Sequence, residues 1–162
     1  MSTRHGAAVR LAQLRADSEQ CLADFSDFSG APVARRDALR ERLRLALELR
    51  WKLEEQLVIP ALGKRVATLL LPAAESESTN LRELFDHAGR EASGVILPVA
   101  RLALLRAERI ELALAAAEQR RDFDAAALVR DIDAMLARWR VEVWRTGDIE
   151  DEESDPVGQP PR

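Results

Sequence analysis

Arg50 and Glu54 stand one helical turn apart in a stretch otherwise built for burial. Between Leu39 and Leu62 the chain reads LRERLRLALELRWKLEEQLVIPAL, and Leu39, Leu43, Ala46, Arg50, Leu53 and Leu57 fall at 4-3-4-3-4 spacing. That stripe marks one face of a core helix. Two readings of its charged member are open. Arg50 and Glu54 either sit at the margin, with stems packed and heads in water, or belong to a buried charge-neutral network. Burying an isolated guanidinium costs several kcal/mol, so the second reading demands carboxylate partners. Arg138 and Glu142 repeat the one-turn relation later in the chain, and Ser18 is a small polar group in another apolar row.

Other chemistry is sparse. His87 and Glu91 form an H-x-x-x-E pair, a spacing that puts both on one helical face and could ligate a metal. A surface histidine is the plainer reading. His5 stands near the N-terminus and supports no role. Cys21 is the one cysteine and so makes no internal disulfide, which fits a reducing compartment. On an apolar face its thiol would be inert packing. Trp51, Trp139 and Trp144 read as large packing groups at the ends of a bundle or under its loops. The sequence holds no Gly-rich phosphate loop, no paired-cysteine zinc spacing and no Ser-His-Asp set, and two histidines leave most metal-dependent hydrolysis short of parts.

The elements that must position these residues are helical. Of 162 residues, 47% are apolar and 32% charged, with only seven Gly, seven Pro and no Tyr, the balance of a Leu/Ala/Arg/Glu-rich helical domain. Nearly every basic residue is Arg. A net charge of −4 argues against general nucleic-acid binding. Arg35 to Lys52 is nonetheless basic and Asp148 to Asp155 acidic, which reads as a solvated face and a tail. The N-terminus has no signal-peptide core, and the windows Val66–Leu71 and Val95–Leu105 are too short or too interrupted to span a bilayer. The expectation is a cytoplasmic protein.

In chain order, Leu11, Leu14, Ser18, Cys21, Phe25 and Phe28 predict a first helix over residues 3–28, closed by Ser29-Gly30-Ala31-Pro32. A second helix is predicted from 34 to 59, disturbed by Pro60 and Gly63. Pro72 and the polar run Glu75–Asn80 predict the longest loop, with Thr79 or Asn80 capping a third helix and Glu83 closing a capping box. That helix follows Leu81, Phe85, Ala88, Ala92, Val95, Val99 and Leu102 to about Gln119, with a kink near Gly94 and Pro98. After a polar break at Arg120–Asp124, a fourth runs from 124 to 145 on Leu128, Ile132, Met135, Trp139 and Glu142. The fold expected is all-α, an antiparallel up-down-up-down four-helix bundle over residues 1–146, with a disordered acidic, Pro-rich tail over 147–162.

The run from Leu49 to Leu62 resembles the helix-two signature of hemerythrin-like (HHE cation-binding) domains, a His followed four residues later by Glu and then an apolar run ending in Pro-Ala-Leu. Glu54 and Pro60-Ala61-Leu62 keep that pattern, and Arg50 stands where the His belongs. Leu14-Arg15-Ala16-Asp17-Ser18 is similar to the first-helix Leu-x-x-Asp-His, with Ser18 in place of the His. Ser93 is a possible substitute for a third-helix ligand, and Arg138 or Trp139 falls near the fourth-helix His, with Glu142 in place of its acidic partner. The resemblance implies a bundle descended from a non-haem di-iron protein of oxygen binding, sensing or iron handling. Arginine stays protonated and is no ligand. The expected outcome is a degenerate member, without enzymatic activity or cofactor, in which Arg50, Glu54, Arg138, Glu142 and Ser18 form a core network in place of the metals.

Three functions follow as expectations. The first is a non-catalytic structural, regulatory or partner-binding module, a monomer or homodimer binding neither nucleic acid nor membrane. The second is a protein that still binds metal, non-haem iron, through Glu54, Glu142 and His87, with Glu91 as a further candidate. The third is a small-anion pocket lined by Arg50, Arg138 and Trp51.

Overall fold

A computed structural model describes residues 6–27, 32–87 and 93–147, and among them every regular element is helical. Helix α1 spans Ala7–Asp27 and α2 spans Val33–Leu53. A π-helical turn, Glu54–Val58, joins α2 to the short α3, Ile59–Ala61. Helix α4 spans Lys64–His87, α5 spans Ser93–Ala117 and α6 spans Ala125–Gly147. No helix among the described residues is long and apolar enough to cross a membrane.

The π turn has a local cause. Pro60 has no N–H for the carbonyl of Gln56, and its ring crowds that carbonyl. The chain widens ahead of the proline, so that the Ile59 N–H bonds the Glu54 carbonyl five residues back. One residue is thereby inserted into the helical phase. The buried row accordingly runs Leu43, Leu47, Arg50, Glu54, Val58, whereas Leu57, expected in that row, is only half-buried.

The loop expected over Pro72–Asn80 is instead the middle of α4, with Pro72 inside the helix. Ala74, Ser78, Leu81 and Phe85 are all buried, and they recur at helical spacing. Ser78 is the buried member of the polar run: its hydroxyl donates to Glu55 Oε1 at 2.5 Å, with the Glu75 carbonyl 3.0 Å away. Packing of that face outweighs the one backbone bond Pro72 removes. Thr79 and Asn80 are therefore mid-helix residues rather than caps. Pro98 likewise lies within α5.

The single row expected to run from Leu81 to Leu102 also divides. Leu81 and Phe85 are buried on α4, but Val95 and Leu102 face outward on α5, which buries Ile96, Ala100, Ala103, Leu104, Ala107, Ile110 and Leu114. Two separate helices need not share a phase across the residues between them. The polar break near residues 120–124 stands as expected, and Asp124 Oδ1 accepts the Ala127 N–H at 2.9 Å to cap α6. His5, Phe28, residues 29–31, Ala88, Glu91, Ala92 and the tail from 148 onward lie outside the described residues.

The apolar interior consists of two clusters. One gathers Leu11, Leu53, Val58, Ile59, Ile110, Leu114, Leu128 and Ile132; the other gathers Cys21, Phe25, Leu43, Leu47, Trp51, Leu81, Phe85, Ile96 and Leu104. Each buried Leu, Ile or Phe contributes about 1.5–3 kcal/mol. In α1, α2, α4 and α5 alike, one part of the helix feeds the first cluster and another part the second. What lies between the clusters is polar.

Candidate functional site

At each of those four crossings the sequence places a charged residue: Arg15 on α1, Arg50 and Glu54 on α2 and the π turn, Glu77 on α4, and Arg106 and Glu111 on α5. The side chains join in an alternating ladder, Glu19–Arg15–Glu111–Arg50–Glu54–Arg106–Glu77. Its centre is closed to solvent. Arg50 is 2% exposed and Glu54 0%.

Arg50 is the hub. Its Nε donates to Glu54 Oε1 at 2.6 Å, and its Nη2 donates to Glu111 Oε1 at 2.6 Å and to the Ala107 carbonyl at 3.2 Å. Nη1 donates to the Leu11 carbonyl at 2.6 Å. Four of the five N–H groups of a guanidinium are thus engaged, by groups on α1, the π turn and α5. The second oxygen of each carboxylate is held from the other side. Arg106 Nη2 donates to Glu54 Oε2 at 3.0 Å, and Arg15 Nε donates to Glu111 Oε2 at 3.0 Å. Inside the half-exposed Glu19 the ladder sets three guanidinium groups against three carboxylates, the balance that buried charge requires.

The two ends differ. Arg15 reaches Glu19 Oε1 at 2.6 Å on its own helix, and its bond to Glu111, against the opposing cost of burial, raises its already high pKa. At the other end Arg106 Nη1 lies 3.1 Å from Glu77 Oε2. Glu77 Oε1 and Arg106 Nε are buried without a hydrogen-bond partner among the described residues. Burial pushes the Glu77 carboxyl above the usual carboxylate range; the charge of Glu54 adds to this and Arg106 opposes it.

The residues singled out in the sequence are thus partly united. Arg50 and Glu54 form the centre of the ladder. Ser18 is buried, but its Oγ donates to the Leu14 carbonyl of its own helix at 3.0 Å rather than to a charged group. Arg138 and Glu142 are exposed on α6 and take no part in the ladder. The reason is phase: α6 turns Leu128, Ile132 and Met135 inward and leaves Arg138, Val141 and Glu142 exposed. His87 closes α4 and Ser93 opens α5. Trp51 is buried with Arg82 stacked at 5.4 Å, and Trp139 carries Lys52 Nζ at 4.5 Å. Cys21 is buried, and burial raises its thiol pKa.

Arg15, Glu77, Arg106 and Glu111 were missed. The signal for Glu111 is of the kind that marked Arg50. It lies in the apolar row Leu104, Ala107, Glu111, Leu114, a row visible once α5 is given its own phase.

The donor set at this centre does not fit a di-iron site. Both oxygens of Glu54 face guanidinium groups, so a metal there would sit beside two fixed cations. Among the described residues no group of three or more His, Cys, Asp and Glu is placed to hold a metal. An anion pocket formed by Arg50, Arg138 and Trp51 also lacks its parts, since Arg50 is enclosed and Arg138 faces solvent on another helix. The surface groove between the start of α2 and the end of α4, lined by Arg40, Arg44, Phe85 and Asp86, contains none of the three. Comparison of the chain with protein-family models, with curated proteins and with solved structures gives no match.

Proposed function

We propose that this chain is a non-catalytic helical module, a helical bundle of hemerythrin-like descent in which an arginine–glutamate ladder has taken the place of a metal centre, and that it acts through a partner. The observation that carries the reading is Arg50. It occupies the position at which the resemblance puts a ligand histidine, lies between two apolar clusters, and binds Glu54, which occupies the position of a ligand carboxylate. A guanidinium held by two carboxylates supplies fixed positive charge where a metal would have supplied it. Arg50 and Glu54, at the centre of that arrangement, are closed to solvent.

Metal analysis of protein purified without a histidine tag tests the proposal. The expected result is far less than one equivalent of iron, with no oxo-bridged charge-transfer band after aerobic addition of ferrous iron. Stoichiometric iron that is lost on Glu54→Ala would overturn it in favour of an altered metal site.

A further inference from the structure

Helix α5 carries a second pattern on the face turned away from the ladder. Val95, Leu102, Leu105 and Leu112 are between 50% and 67% exposed. Together with Pro98 and Arg109, also exposed, they fall at alternating intervals of three and four: 95, 98, 102, 105, 109, 112. That is the a/d repeat of a coiled-coil seam. It runs for about 26 Å along the helix at 1.5 Å per residue. Isolated surface leucines are ordinary, but an exposed stripe at heptad spacing that is apolar at five of its six positions marks a docking surface.

We infer that this stripe binds the same stripe of a second copy of the chain, antiparallel, across a two-fold axis between Leu102 and Leu105. The inference goes beyond the reading of the core and does not depend on it. Self-complementarity is the first argument. In the antiparallel register Leu102 meets Leu105 of the other copy, Val95 meets Leu112, and Pro98 meets Arg109, each layer occurring twice, as a two-fold interface requires. Charge is the second. Arg101 and Glu108 flank the stripe at the g positions, both are exposed, and neither has an ion-pair partner among the described residues. In the antiparallel register Arg101 of each copy lies beside Glu108 of the other, giving two reciprocal pairs. A parallel arrangement would set Arg109 against Arg109 in the seam, a repulsive contact, and would leave Arg101 and Glu108 of the two copies without reciprocal pairing. The acidic run 148–155 has one apolar residue, Ile149, and cannot supply a matching apolar helix face in place of a second copy.

Sedimentation equilibrium on the full chain, with charge reversal, tests this. The wild-type protein is expected at twice 18.1 kDa. Arg101→Glu alone and Glu108→Arg alone each turn two symmetry-related attractions into repulsions and should weaken the dimer by about tenfold or more. The double variant R101E/E108R should return to within about threefold of wild type. All these positions are surface residues, and circular dichroism confirms that each variant is folded. Should either single variant fail to fold, Leu105→Glu serves instead and should yield a monomer. A wild-type chain that stays monomeric at ~100 μM, well above the Kd of a specific dimer, overturns the proposal. So does a double variant no tighter than the singles, or an assembly of another size.

Discussion

Replacing Arg50 by leucine tests the ladder at its hub. The substitution removes one buried cation and leaves a shorter apolar group, so a small void where the guanidinium lay adds to the electrostatic cost. Four hydrogen bonds vanish: those to Glu54, Glu111 and the carbonyls of Leu11 and Ala107. The two carbonyls lie within α1 and α5 and remain in their helical ladders. The cost therefore rests on the carboxylates. Glu54 keeps Arg106 and Glu111 keeps Arg15, so each is left half-partnered in a region closed to water. Breaking a buried pair in this way costs about 3–5 kcal/mol. For a chain of this size that lowers Tm by about 6–20 °C, or the urea midpoint by roughly 2 M. The decisive comparison is the triple variant Arg50→Met, Glu54→Leu, Glu111→Leu. It removes the enclosed charges together, and Arg15 and Arg106, which are partly exposed, retain Glu19 and Glu77. Its stability should return to within about 1 kcal/mol of wild type or exceed it. Urea melts of the two variants give the answer. A cost below about 1 kcal/mol for Arg50→Leu would mean that the hub is not a buried ion network, and a triple variant weaker than the single would mean that the pairing itself stabilises the fold.

Two further predictions concern the edges of the same core. The folded-state pKa of Glu77 is raised, mainly by burial, so between the ordinary carboxylate value of 4.5 and that raised value the native state binds more protons than the unfolded chain. Its contribution to stability therefore falls as pH rises through this window, and Glu77→Gln should flatten that part of the wild-type pH profile of unfolding; profiles that run parallel would refute the assignment. Gly63 has φ of 108°, a conformation side chains rarely adopt, although space around it is open. Gly63→Ala should cost about 1–2 kcal/mol from backbone strain alone, read as a lower urea midpoint with an unchanged slope; a neutral result would mean that the turn into α4 readily takes another shape.

Periodicity made α1, α2 and α6 legible, because each has one long apolar row and a clear end. It failed over Lys64–His87, where Pro72 and a run of Ser, Glu and Asn carry the signature of a loop. Only tertiary facts explain why they are helical: Ala74 and Ser78 share a buried face with Leu81 and Phe85, and Glu55 from the π turn accepts the Ser78 hydroxyl. The buried status of Arg50 and Glu54 was one of two readings open in the sequence, since a charge in an apolar row signals either a margin or a network. The partners that decide between those readings come from α5, and their row was hidden by carrying one helical phase from Leu81 to Leu102. Arg138 and Glu142 shared the one-turn spacing of Arg50 and Glu54. They differ in having no buried row beneath them, because α6 is held to the core by Leu128, Ile132 and Met135, well before its last turns.

The ladder also bears on how α5 is placed. Much of its inner face is small or repetitive, with Ala100, Ala103, Leu104, Ala107, Ile110 and Leu114 recurring every three or four residues. An apolar surface of that kind discriminates weakly between positions one turn apart, since a slide of 5.4 Å replaces one Ala or Leu by another. The charges do not tolerate the slide. It would carry Glu111 away from an Arg50 contact of 2.6 Å and Arg106 away from Glu54, leaving Arg50 and Glu54 with only each other and Glu111 without its enclosed partner. Buried ion pairs add little net stability relative to apolar replacements, yet they penalise every alternative register severely. On the proposed reading that is the ladder's role in this chain. The same constraint sets the rotation of α5, and with it the direction in which Val95, Leu102, Leu105 and Leu112 face. A core that fixes one face of a helix by charge necessarily fixes the opposite face, on which the inferred contact between two copies depends.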